Sequence, residues 1–278
     1  MTHAIQNKAM LATLSISQWT ARKADKSVSA EVEKAHGAHD AGKYNKLLVD
    51  KALLEPISKL TARVREFHYC MTLSWSDSGA RILPAKLFMD YTTRLRGYKS
   101  EFETLVKNML QYYPAEVQAA RVRLGTMYNP GDYPEAWELG DRFSINVEFT
   151  PVPDGSDFRV ELGDEAQAEL RASVTQAVAE RQAGAVKATY GRIRDVVSKI
   201  EERLSIPDAI FKDTLVTNAI ELCQVLDGLN ITDDPTITAL CQDMRDHLLM
   251  PPSVLRGNGH TRAVTAGHAQ RILAALPT

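Results

Sequence analysis

Apolar residues recur at steps of three and four over three stretches of this chain. From Phe88 the run is Phe88, Tyr91, Leu95, Tyr98, Phe102, Leu105, Met109 and Tyr112, which is one face of a long helix in the register of a coiled-coil seam. Leu53, Ile57, Leu60, Val64, Phe67 and Met71 repeat the pattern upstream. The connector Ser74-Trp75-Ser76-Asp77-Ser78-Gly79 is short and rich in turn formers, so these two helices are expected to fold back as an antiparallel hairpin. Pro84 suits a first helical turn, and Pro114 is expected to end or kink the second helix after Tyr113. The third seam, Val186, Tyr190, Ile193, Val197, Ile200 and Leu204, predicts a helix from Gly163-Asp164 to just before Pro207. At about forty residues it would be on the order of 60 Å long, which predicts an elongated molecule or burial against another copy.

Between the second and third helices the period changes to two. Asn129-Pro-Gly-Asp-Tyr-Pro134 is a turn cluster, after which Phe143, Ile145, Val147 and Phe149 alternate with polar residues, as do Phe158, Val160 and Leu162 beyond a Pro/Gly loop. This predicts a β-hairpin over about 142–162. Leu14-Ser15-Ile16-Ser17 alternates too and is a candidate third strand, needed because a lone two-stranded ribbon is only marginally stable; residues 4–12 read equally as helix. Shorter helices follow, one over Phe211 to Leu229 and one carrying Ile237, Leu240, Met244 and Leu248, with Thr232 to Asp234 as N-cap candidates.

The expected fold is therefore α+β and predominantly α. Long antiparallel, coiled-coil-like helices carry a small antiparallel β-hairpin, and a set of short helices closes the chain. The expected division is 1–206 as an elongated helical domain with the hairpin inserted, 207–250 as a helical subdomain, and 251–278 as a flexible tail with a short helix.

Charge and cysteine content narrow the chemistry. Net charge is −2, yet residues 1–130 hold 19 Lys and Arg against 12 Asp and Glu, while 131–278 hold 14 against 23. Such asymmetry favours association between oppositely charged surfaces. The three cysteines, Cys70, Cys223 and Cys241, are far apart in apolar helical patterns, which points to free thiols in a reducing compartment. No run approaches the roughly 20 apolar residues of a membrane span and residues 1–19 lack the order of a signal peptide, so a cytoplasmic location without membrane contact is expected.

No motif assembles a catalytic site, and no cofactor is expected. The phosphate-cradling Gly-x-x-x-x-Gly-Lys-Ser/Thr and the nucleophile turn Gly-x-Ser-x-Gly are both absent from the sequence. His36-Gly-Ala-His39-Asp40 has the residue types of a metal site, but its glycines favour a loop and four-ligand zinc needs partners it does not have. Glu201-Glu202 and Asp233-Asp234 read as a solvated face and a helix cap. Arg81, Lys86, Arg94, Arg96 and Lys99 interleave with Phe88, Tyr91 and Tyr98, the mixture used to hold single-stranded nucleic acid; the aromatics fall on the seam, which favours core packing with a basic flank. Tyr133, Trp137, Phe149 and Phe158 are candidates for an interaction tip on the hairpin.

Ile82-Leu-Pro-Ala-Lys86, Tyr91 to Tyr98, Asn129 to Pro134, Phe143 to Pro153, Phe158-Arg-Val160, Phe211 to Val216 and Leu229 to Pro235 together resemble a family of uncharacterised phage and plasmid proteins classed as a domain of unknown function. The resemblance covers most of the chain. It implies a gene neighbourhood with a MoxR or cobalt-chelatase-like AAA+ ATPase and a von Willebrand A-like protein, and it brings no catalytic residues. The expectation is a non-enzymatic, oligomerising accessory protein that binds itself and such an ATPase. The alternative is a single-stranded DNA binding or annealing protein of phage recombination.

Overall fold

The computed structural model describes residues 5–155, 163–207 and 209–277. Its elements run β1 (Ala9–Ser17), β2 (Arg22–Ala24), α1 (Lys26–His36), β3 (Asn45–Leu47), α2 (Lys51–Met71), β4 (Leu73–Ser74), β5 (Ala80–Pro84), α3 (Phe88–Leu124), α4 (Ala136–Gly140), β6 (Ser144–Pro151), α5 (Asp164–Ser205), α6 (Thr214–Leu229), α7 (Pro235–His247), α8 (Pro252–Gly257) and α9 (Gly259–Ala274). The chain is predominantly helical with a small antiparallel sheet and short helices at its C-terminal side. No helix among the described residues is long and apolar enough to cross a membrane.

Two compact units result, neither continuous in sequence. The first takes its described residues from 1–13, 67–92 and 148–278, the second from 14–66 and 93–147. Helices α2 and α3 and strands β1 and β6 contribute to both. The second unit carries 17 Lys and Arg against 14 Asp and Glu, the first 16 against 21.

In the first unit α5 packs on α6, α9 and β4, while α7 packs on α6 and α9, and α8 on α9. The buried stripe of α5 is Ala185, Thr189, Ile193, Val197, Ile200 and Leu204, a spacing of three and four that keeps one face toward its neighbours. Residues 251–277, expected as a flexible tail with a short helix, instead form α8 and the 16-residue α9, with Ala266, Ala269 and Ile272 buried. The pattern in α9 is hard to read because its buried side chains are mostly small. Gly228 in α6 lies where any Cβ would collide with the Leu87 side chain, so only glycine lets α6 approach the turn at 85–87 this closely.

The four-stranded sheet has the order β4-β5-β1-β6. Strand β1 pairs antiparallel with β5 from Ala9↔Pro84 to Thr13↔Ala80. The expected strand at 14–17 is thus real and begins earlier, at Ala9, where helix was the competing reading. The turn-rich connector after α2 proves to hold a short antiparallel hairpin, with Leu73↔Ile82 and Ser74↔Arg81. The first arm of the hairpin expected at 142–162 is β6; the second arm, with Phe158, lies outside the described residues.

The seam of α3 differs from a coiled-coil register in an informative way. Tyr91, Leu95, Phe102 and Met109 are buried as expected, but Val106 and Tyr113 replace Leu105 and Tyr112 in the buried set, and Ala120 and Leu124 continue it. A straight helix drifts about 20° per heptad from a strict seven-residue repeat, which moves burial onto the next residue. Pro114 does not end this helix, which runs on to Leu124. Pro114 is exposed, so the helical hydrogen bond it removes lies at a hydrated face, while Tyr113 and Ala120 hold the helix to the core.

In the second unit β2 and β3 form a ribbon, Arg22↔Leu47 to Ala24↔Asn45. Asp25 caps α1 by accepting from the Ser27 and Val28 amides, and Gly37 at φ 60° ends it. His36 is thus the last helical residue while His39 and Asp40 lie beyond the turn, and no group of three metal-ligating side chains occurs among the described residues.

Candidate functional site

The ionisable side chains that the fold buries are committed to one another or to backbone. In the first unit Arg192 Nη1 donates to the Cys70 carbonyl at 2.8 Å and Nη2 to that of Tyr69 at 2.7 Å and to that of Thr72. These are the carbonyls that α2 leaves without amide partners at its C-terminus, where a cation also complements the helix dipole. Arg81 joins the same cap: its Nε donates to Thr72 Oγ1 at 2.7 Å, and its guanidinium lies 4.8 Å over the Tyr69 ring. Burial, then the Arg192 charge, pushes the Arg81 pKa down. Arg262 repeats the device at the end of α5, donating to the carbonyls of Arg203, Leu204, Ile206 and Ala209.

The second unit buries Lys46, whose ammonium sits 2.7 Å from Asp132, 3.4 Å from Asp25 and 2.8 Å from the Met127 carbonyl. The hydrogen bond to Asp132 raises its pKa against the opposing effect of burial. These are structural uses of charge, since each buried cation has an anion or carbonyl partner in place.

The five basic residues considered for nucleic acid are divided between the two units. Arg81 and Lys86 belong to the first unit, Arg94, Arg96 and Lys99 to the second. Arg81 is spent on the α2 terminus, which corrects its reading as a phosphate contact. Lys86 pairs with Asp233 at 3.1 Å, and Lys8 pairs with the other oxygen of the same carboxylate; the two lysines hold Asp233 below the usual carboxylate range. Arg94 is engaged as well, while Arg96 is exposed and Lys99 half-buried.

The aromatic candidates are divided between the units too. Tyr133 donates to the Leu48 carbonyl at 2.9 Å and packs on Tyr128, so it braces the second unit and is no tip. Phe149, in the first unit, meets Phe88 and Tyr91 edge-on at 5.4 and 6.2 Å. Trp137 on α4 is 73% exposed, and on α3 Tyr112 and Val122 are 65% and 86% exposed. Spacing did not mark Tyr112 or Val122; the slip of α3 from the heptad register is what turns Tyr112 outward.

No family model, curated protein or solved structure matches this chain.

A cavity of about 630 Å³ lies within the second unit. It is lined by Gln18 to Arg22, by Leu47, Val49 and Asp50, and by Lys51, Leu54, Glu55 and Ser58 of the first turns of α2. Ala21 there is 3% exposed with φ 52°, a left-handed conformation that strains a non-glycine residue. That conformation lets its carbonyl accept the Leu48 amide at 2.8 Å. None of these residues stood out in the sequence; the local signal was Asp50 just ahead of α2, where its carboxylate accepts the Ala52 amide at 2.8 Å.

Proposed function

We propose that this is a non-enzymatic protein that works in the cytoplasm by self-association and by docking a protein partner. The observation that carries the reading is the exposure of Tyr112, Val122 and Trp137 on the second unit. Large apolar and aromatic side chains held in water are the usual anchors of protein interfaces. The charge balance supports it, because a positive second unit and a negative first unit give two copies complementary surfaces. The commitment of Arg81, Arg192, Arg262, Lys46 and Lys86 to partners inside the fold is consistent with a scaffold whose ionisable groups stabilise structure. The partner suggested by the family resemblance is a MoxR-type AAA+ ATPase with its von Willebrand A-like companion, in phage or plasmid biology. Coiled-coil pairing is a further proposal, in which α3 would lend its exposed side to a second copy. Light scattering on the purified chain, followed by co-purification with the ATPase, tests the reading.

The single-stranded DNA alternative retains Arg96 and Lys99 from its original set. A salt-dependent titration against a labelled oligonucleotide tests it, since phosphate contacts weaken steeply with salt. Binding lost on Arg96→Glu with Lys99→Glu would establish it; no binding at low salt would remove it.

A further inference from the structure

We propose that the cavity between Trp19 to Arg22, Leu47 to Val49 and the start of α2 binds a small organic anion with an apolar body. Its volume of about 630 Å³ is in the range of small-molecule sites. The inner surface is apolar: Trp19, Ala21 and Val49 are buried at 8%, 3% and 1% exposure, and Leu47 and Leu54 complete it. An alkyl or aryl group gains by entering such a surface.

The rim decides the charge of the ligand. Four ionisable side chains line it: Arg22, Asp50, Lys51 and Glu55. Both carboxylates are already engaged, Asp50 with the Ala52 amide at 2.8 Å and Glu55 with Lys59 at 2.8 Å. Arg22 and Lys51 have no ion-pair or hydrogen-bond partner for their side chains among the described residues. A carboxylate or sulfonate would take up the two uncommitted cations while its apolar part covers Trp19 and Leu54. The strained Ala21 backbone is held by the 2.8 Å bond from the Leu48 amide, next to the end of the ribbon.

The test uses the full chain and the anionic aromatic probe 8-anilinonaphthalene-1-sulfonate, with decanoate and decyltrimethylammonium as competitors. Expected are one saturable site per chain, displacement by decanoate and none by the cationic surfactant. Arg22→Glu with Lys51→Glu should weaken probe binding at least tenfold, whereas Arg65→Glu with Arg96→Glu, which removes cations away from the cavity, should leave it unchanged. Val49→Trp fills the cavity and should abolish binding; far-UV circular dichroism verifies the fold of each variant. Absence of a saturable site, equal weakening by both charge-reversed pairs, or unchanged binding in the Arg22/Lys51 variant overturns the proposal. Since probe binding is read on the single chain, its failure is distinguishable from a failure to self-associate.

Discussion

His68 Nδ1 and Tyr91 Oη lie 2.7 Å apart with both side chains buried. They join α2 to α3 inside the first unit, and the Tyr91 ring stacks on Phe67 with centroids 5.2 Å apart. Burial, followed by the positive charge of Arg81, brings the imidazole pKa down to about 4. Burial likewise pushes the Tyr91 hydroxyl up. The pair is therefore a neutral hydrogen bond at pH 7.

The burial of His68 makes stability pH-dependent in a defined direction. Unfolded, His68 takes a proton near pH 6.5, but folded it resists until about pH 4. Its contribution is complete above about pH 6.5 and is lost as pH falls toward 4, by roughly 3 kcal/mol in all. Urea midpoints from pH 7.5 to 4 should fall along that window, and His68→Phe should flatten the curve there. Tyr91→Phe leaves the buried imidazole nitrogen without its partner and should cost about 1–3 kcal/mol at pH 7.

Arg192→Met should destabilise the first unit by about 2 kcal/mol or more, because the carbonyls of Tyr69 and Cys70 lose their donor while that of Thr72 keeps only Arg81 Nη2 at 3.2 Å. Arg192→Lys should recover only part, since an ammonium does not reproduce the planar fork. Hydrogen exchange in the last turn of α2 reports the local loss; chemical denaturation reports the total.

The three long helices were legible in the sequence because their stripes keep one period over five or more turns, and α5 begins and ends within a residue of where Gly163-Asp164 and Pro207 place it. The hairpin β4–β5 was not legible. Its strands are two and five residues long, too short for an alternation to show, and Ser76-Asp77-Ser78-Gly79 drew attention to the turn alone. Pro114 does not stop α3 because the packing of Tyr113 and Ala120 on either side of it outweighs the local rule for proline. The arginine caps could not be found by spacing: Arg192 and Tyr69 are separated by 123 residues. The cavity wall at Trp19 to Arg22 was hidden for the same reason, since it exists only where β2, β3 and the start of α2 converge.

Arg262→Met should release the C-terminal helices. The side chain is 7% exposed and ties α9 to the end of α5 through four carbonyls. Limited proteolysis of the variant should cut within 205–213 and 250–259 well before the parent chain is cut there, while α2 and α3 stay intact.

Trp137→Asp and Tyr112→Asp replace exposed side chains, so they should leave the thermal midpoint within about 1 kcal/mol of the parent in equivalent stability. The same changes should weaken self-association by at least tenfold. A loss of association without a loss of stability separates an interface role from a structural one.

Multi-angle light scattering on the eluting protein, from low to high micromolar concentration, tests the central claim most directly. The account predicts a mass that is a multiple of 30.8 kDa at the high end and a return to the single-chain mass in the Trp137→Asp, Tyr112→Asp double variant. A mass of one chain at every concentration would contradict it.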